Sequence, residues 1–279
     1  SQIHQILYKA ENKQELTFDE AVELVTKDSL LNIGQCASSL KSKLMDISSA
    51  SVMTKATFVP IEKIHQPEKA AQEVIYEFLL NKINLPSSDL ILDLAPLSNH
   101  DGPNLHQICK FLNLVHASIP AIQVAVKGLK GLWSLSQKEE LPLIVLLEML
   151  KEANVNLIES SGKETEEHLT ISEVCQTHKT IHTVGISSAA KVEIAAPYNG
   201  VGAPFWGIFI EKLRALNSLQ KETHGLLAIK VEPANGSVIS PTEYLKAVAL
   251  TRILMQGVPN IVTPYKKVPS LSQANKNNA

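Results

Sequence analysis

Cysteine is scarce in this 279-residue chain: Cys36, Cys109 and Cys175 are all there is. An odd number at wide spacing excludes a disulfide framework and every Cys-x-x-Cys zinc or redox motif, and three free thiols on predicted helices suit a reducing cytoplasm. Long apolar runs are missing too. The most apolar stretch, Leu141 to Leu147, is bounded by Glu140 and Glu148 and is too short to span a bilayer, so no membrane partner is expected. Charge of one sign is not in excess: 26 basic residues are dispersed among 28 acidic ones, which removes the electrostatic footprint of a nucleic-acid binder. No Gly-x-Gly-x-x-Gly turn, P-loop or Gly-x-Ser-x-Gly elbow occurs, so dinucleotide, nucleotide-triphosphate and α/β-hydrolase chemistry lose their signatures. No signal peptide is recognised, although Ser1 leaves a processed or trimmed start open.

What the chain does contain is a regular alternation of elements. Thr17, Ser136, Thr170 and Ser240 are each followed three residues later by Glu, the pattern of a capping box, and Pro241 adds a proline at a first helical position. Three N-terminal helices are expected at 2–10, 17–26 and 28–44. Then follow strand 52–59, helix 67–83, strand 89–95, helix 104–117, strand 121–127, helix 138–153 and strand 155–159. Helix 171–183, strand 187–194, helix 204–220, strand 226–232, helix 241–256 and strand 260–263 complete the series. Six strand-helix units with a seventh strand predict a parallel sheet with right-handed crossovers, and the fold class expected is α/β: a full or partial (β/α) TIM-type barrel with N-terminal helices. The expected organisation is a helical segment at 1–47, a barrel at 48–265 and a flexible tail at 266–279.

Candidate functional residues come from the parity of the strands. Side chains of a strand point alternately to opposite faces. Asp93, Lys127, Glu159, Lys191, Glu193, Lys230 and Glu232 all fall on the polar parity, expected to look into the barrel. An interior charge survives only by pairing, hydration or ligand contact, so the balanced set reads either as a self-neutralised plug or as a small-molecule site at the strand ends. His100 and Asp101, in Asn99-His100-Asp101-Gly102 after the second strand, are rim candidates for ligand or proton handling, beside the plainer reading as a polar turn. His178 and His182 are spaced to share a zinc ion, but no further ligands complete a set. An exposed helix face is expected for them, and no metal site. The loop Pro197 to Gly207 is expected to be a connector with Phe205 and Trp206 packed down.

Three stretches carry a family resemblance: Leu146 to Asn156, Leu213 to Gly225, and Tyr244 to Leu254 with Val258-Pro259-Asn260-Ile261 behind it. In texture and element order they resemble the radical SAM enzymes of the futalosine route to menaquinone, aminofutalosine synthase and the dehypoxanthine futalosine cyclase. The resemblance covers most of the chain as scaffold and implies a radical-SAM-like barrel. That family places a Cys-x-x-x-Cys-x-x-Cys loop after its first strand, where three thiolates hold a cluster whose fourth iron binds SAM. The matching stretch here, Ser48 to Phe58, has no cysteine. Ala95-Pro96 stands where the family carries a glycine pair, and Ser160-Ser161-Gly162-Lys163-Glu164 only weakly matches its later glycine-rich turn. The resemblance with its chemistry missing implies a degenerate relative, without iron-sulfur cluster or SAM and with no catalytic residues assigned, that binds a small molecule or partners an active paralogue or pathway enzyme. An active enzyme of the same pathway, or a small-molecule-binding barrel using the rim acids and lysines, is the alternative.

Overall fold

Element positions follow the capping signals closely. The computed structural model describes residues 2–45, 57–81, 89–94, 102–160, 169–197 and 202–263. Helices α1 (Gln2–Glu11), α2 (Phe18–Lys27) and α3 (Leu30–Met45) come first. Strand β1 (Thr57–Pro60) runs into a 3₁₀ turn, Ile61–His65, followed by α4 (Pro67–Asn81), β2 (Asp89–Asp93), α5 (Leu105–Ser118) and β3 (Gln123–Lys127). Next are α6 (Leu129–Lys138), α7 (Leu143–Glu152), β4 (Val155–Glu159), α8 (Ile171–Thr183) and β5 (Ser187–Ile194). The series closes with α9 (Trp206–Thr223), β6 (Leu226–Pro233), α10 (Pro241–Leu254) and β7 (Asn260–Val262). The strands form a parallel seven-stranded sheet in the order β1 to β7, each strand beside the next in sequence.

Three of the four expected capping boxes form: Thr17, Thr170 and Ser240 each accept from the backbone N–H of the third residue on, and the glutamate there reaches back. A fourth, at Asn104 with Gln107, opens α5. Ser136 does not cap a helix. It lies buried inside α6, its hydroxyl donating to Leu141 O at 2.6 Å, and the single helix expected over 138–153 is two helices. Glu140 sits at φ 53° between them, and Pro142, which cannot donate to a helical carbonyl, restarts the chain as α7. The left-handed residue breaks a run whose apolar spacing reads as continuous.

The chain divides into two compact units, Ser51–Ala189 and Ser1–Ala50 with Ala190–Ala279. In the first unit, Leu90 and Leu92 of β2, Val124 and Val126 of β3 and Ile158 of β4 are buried with Phe111 and Leu112 of α5 and Leu146 and Leu150 of α7. At about 25 cal/mol per Å² of apolar surface removed from water, each such side chain contributes roughly 1.5–3 kcal/mol. Gly131 of α6 marks the closest approach, because a Cβ there would lie 2.4 Å from Leu94 O. In the second unit, α1 packs on α2 and α3, α2 on α9, and α3 on α10. Gln220 fastens this unit internally: its Oε1 accepts from Leu226 N–H at 2.8 Å, and its Nε2 donates to Leu226 O at 3.2 Å and Gly257 O at 2.8 Å.

Candidate functional site

Parallel pairing decides which polar residues become neighbours. Register couples Asp93 to Lys127 and Lys127 to Glu159, so β2, β3 and β4 present an acid, a base and an acid side by side on one face. Adjacent strands lie about 4.8 Å apart, close enough for charges in register to interact directly. All three side chains are half-buried. Two residues earlier the same face carries Ile91, Ala125 and Leu157, again in register, so the charged row stands on an apolar deck at the carboxyl ends of its strands. In parallel β/α folds that end is where ligand-binding residues collect. Gly128, at φ 114°, turns the chain out of β3 immediately after Lys127 and lets α6 begin within two residues. Asp93 and Glu159 each have further polar or electrostatic interactions in the fold.

The second unit carries its own inner-parity charges. Lys191 donates to Glu193 Oε1 at 2.6 Å, a pair two residues apart on one face of β5, with the lysine side chain 10% exposed. Lys230 and Glu232 repeat that spacing on β6, where Glu232 is buried. Burial, helped by the Glu232 charge, pushes the Tyr244 hydroxyl up to about 12, and that hydroxyl donates to Val231 O at 2.8 Å. His100 and Asp101 lie outside the described residues, as do Ala95-Pro96, Ser161 to Glu164 and the tail from 266. The structure thus aligns Asp93, Lys127 and Glu159 in one row and Lys191 with Glu193 in one ion pair.

A polar cluster that sequence reasoning placed on the surface is inside. His178 is fully buried, not on an exposed helix face. Its Nδ1 and the Nε2 of His182 both lie 2.7 Å from Ser188 Oγ, and its Nε2 lies 3.3 Å from Ser160 Oγ. The four-residue spacing on α8 is what lets both rings reach one hydroxyl of β5. With both rings neutral, protons run in one sense through the chain from Ser160 to His182, or in the other, and every ring nitrogen in it is satisfied. Burial pushes His178 down to about 3, helped by His182, and burial alone brings His182 to about 4. Thr177 beside it accepts from Trp133 Nε1 at 3.0 Å. The only sequence signal was the alternation of β5, which assigns Ser188 to the covered parity. Phe205 also departs from expectation: Trp206 is packed down, but Phe205 is 45% exposed.

The three cysteines sit on α3, α5 and α8, all free. Burial pushes the Cys36 and Cys109 thiols up to about 11, and Cys175 upward as well. Among the described residues no group of three His, Cys, Asp or Glu side chains is arranged to hold a metal ion, and no helix is long and apolar enough to cross a membrane.

No protein-family model matches the sequence, and no curated protein sequence matches it. Solved structures do. Methylornithine synthase (PylB) superposes with a TM-score of 0.56 at 11% identity over 98% of this chain and 90% of that one. The [FeFe]-hydrogenase maturase HydG gives 0.56 at 13% identity over 94% of this chain, and HydG from Carboxydothermus hydrogenoformans 0.57 at 15% over 95%. The fold is radical-SAM-like. This chain spans 62% and 66% of the two HydG chains. At these identities the likeness concerns the β/α scaffold alone.

Proposed function

We propose that this chain is a radical-SAM-like protein that works without an iron-sulfur cluster or SAM, a non-catalytic relative of the futalosine-route menaquinone enzymes, acting as a binding or companion subunit. The observation that carries the reading is the placement of its thiols. A cluster of this type needs three thiolates converging beyond the first strand. Here the residues of β1 and the 3₁₀ turn that follows it include no cysteine, and the cysteines present are on three helices. Two of them are held as neutral thiols at physiological pH by burial, which further unfits them as ligands. The residues therefore do not fit the cluster. The pathway assignment rests on the resemblance of Tyr244 to Leu254 and the other scaffold segments.

Affinity isolation of the full chain from its native cells tests the companion role: co-purification of a menaquinone-pathway enzyme supports it, and stoichiometric iron and sulfide in the isolated protein overturns it. A second reading is favoured by one specific observation, the half-buried row Asp93, Lys127 and Glu159 over its apolar deck. That arrangement suits a small ligand carrying both a cationic and an anionic group, held by the acids and the lysine in turn. A ligand that raises thermal stability in the native chain and loses its effect in Lys127→Met supports this reading.

A further inference from the structure

Within the second unit, α3, α10 and the segment entering β7 enclose an open groove of about 1000 Å³. Its walls are mostly apolar, with Leu30, Leu31, Leu245, Val248 and Ile261, while Gln35, Ser38 and Asn260 add uncharged polar groups. Leu31 and Leu245 remain 67% and 47% exposed. At Gly34, midway along the α3 wall, a Cβ would meet nothing within 4 Å, so the missing side chain leaves the groove open there. Among the described residues, the charged ones lining it are Lys41 and Arg252, both cationic, with no acid beside them in the lining. Arg252 is buried and donates to Val258 O at 2.7 Å and Pro259 O at 3.1 Å. Carbonyls satisfy its hydrogen bonds without cancelling its charge, and burial already lowers its proton affinity.

We propose that this groove binds a single-chain amphiphile with a carboxylate head, its alkyl tail along the leucine walls and its head beside Lys41. The volume lies at the upper end of small-molecule sites, and the apolar lining would replace water along the tail. Charge complementarity selects the anion: a neutral head can at most accept a hydrogen bond, whereas a carboxylate adds Coulombic attraction to two cations with no acid beside them among the described lining residues, and a basic segment would be repelled by them. A second copy of the chain, covering Leu31 and Leu245 by their counterparts, would bury the same surface without using the cations. The inference is independent of the role proposed above, since no residue of the groove belongs to the charged strand rows.

The full chain is titrated calorimetrically with dodecanoate and, in parallel, with dodecanol. Saturable binding of one dodecanoate per chain is expected, with dodecanol markedly weaker. Reversing the exposed charge in Lys41→Glu should weaken dodecanoate roughly five- to twentyfold, the range for an exposed ion pair turned repulsive. Gly34→Leu should abolish binding by filling the groove while leaving the thermal midpoint equal or higher, since leucine replaces glycine in a helix. Equal binding of dodecanol, undiminished affinity in Gly34→Leu, or a concentration-dependent dimer that Leu31→Glu dissociates would each overturn the proposal.

Discussion

Acidification should destabilise this fold through His178 at pH values where most histidines are harmless. In the unfolded chain the ring takes a proton near pH 6.5, whereas burial holds it neutral in the fold down to about 3. The native state therefore binds fewer protons between these limits, and stability falls as pH drops through that window. Moving from pH 7 to pH 4.5 therefore costs about 2–3 kcal/mol from this residue alone. His182, lowered in the same sense to about 4, adds to the loss by an amount reduced by its partial exposure. Urea midpoints at pH 7, 5.5 and 4.5 measure the effect. In His178→Gln, stability at pH 7 should be lower, because the amide cannot span from Ser188 to Ser160 as the ring does, but the slope between pH 6.5 and 4.5 should flatten by about the amount calculated. An unchanged slope would refute the assignment of a buried neutral imidazole.

Four further outcomes follow from particular contacts. Ser188→Ala leaves His178 Nδ1 and His182 Nε2 without their shared partner and should cost roughly 1–3 kcal/mol in chemical denaturation. Gly131→Ala drives a methyl group into Leu94 O, which is backbone and cannot swing away. A loss of at least about 1–3 kcal/mol, the ordinary range for overpacking, is expected in thermal melts. Gln220→Leu strips partners from the buried N–H and C=O of Leu226 and should lower stability by roughly 2–4 kcal/mol, with early hydrogen exchange at the start of β6 as its signature. Lys191→Met leaves Glu193 without its lysine at 2.6 Å and should cost roughly 1–3 kcal/mol in urea denaturation at pH 7.

Local rules carried most of the scaffold into view. The alternation in Leu90 to Asp93 and Gln123 to Lys127 placed both strands and the face of their charges, because period-two patterning and parallel pairing are near-neighbour effects. Capping hydroxyls at Thr17, Thr170 and Ser240 fixed three helix starts within one residue. Ser136 misled because its three-residue spacing to Glu139 looks identical whether or not the chain has already entered a helix. The left-handed turn at Glu140 has no signature in a non-glycine residue. His178 was assigned to the surface since the depth of a helix face depends on which strand it covers, and Ser188 as its partner lies ten residues away. The groove beside Gly34 was invisible for the same reason: it arises from the packing of α3 on α10, elements some two hundred residues apart in sequence. The charged row was legible residue by residue, but its side-by-side order came only with the register of β2, β3 and β4.

The central claim is that this scaffold has no place for a SAM-cleaving cluster. Anaerobic treatment of the purified chain with ferrous iron and sulfide, followed by dithionite and SAM, tests it by the formation of 5′-deoxyadenosine. The account predicts a colourless protein after desalting and no nucleoside product above the protein-free control. A brown protein retaining iron and sulfide and releasing 5′-deoxyadenosine would contradict it.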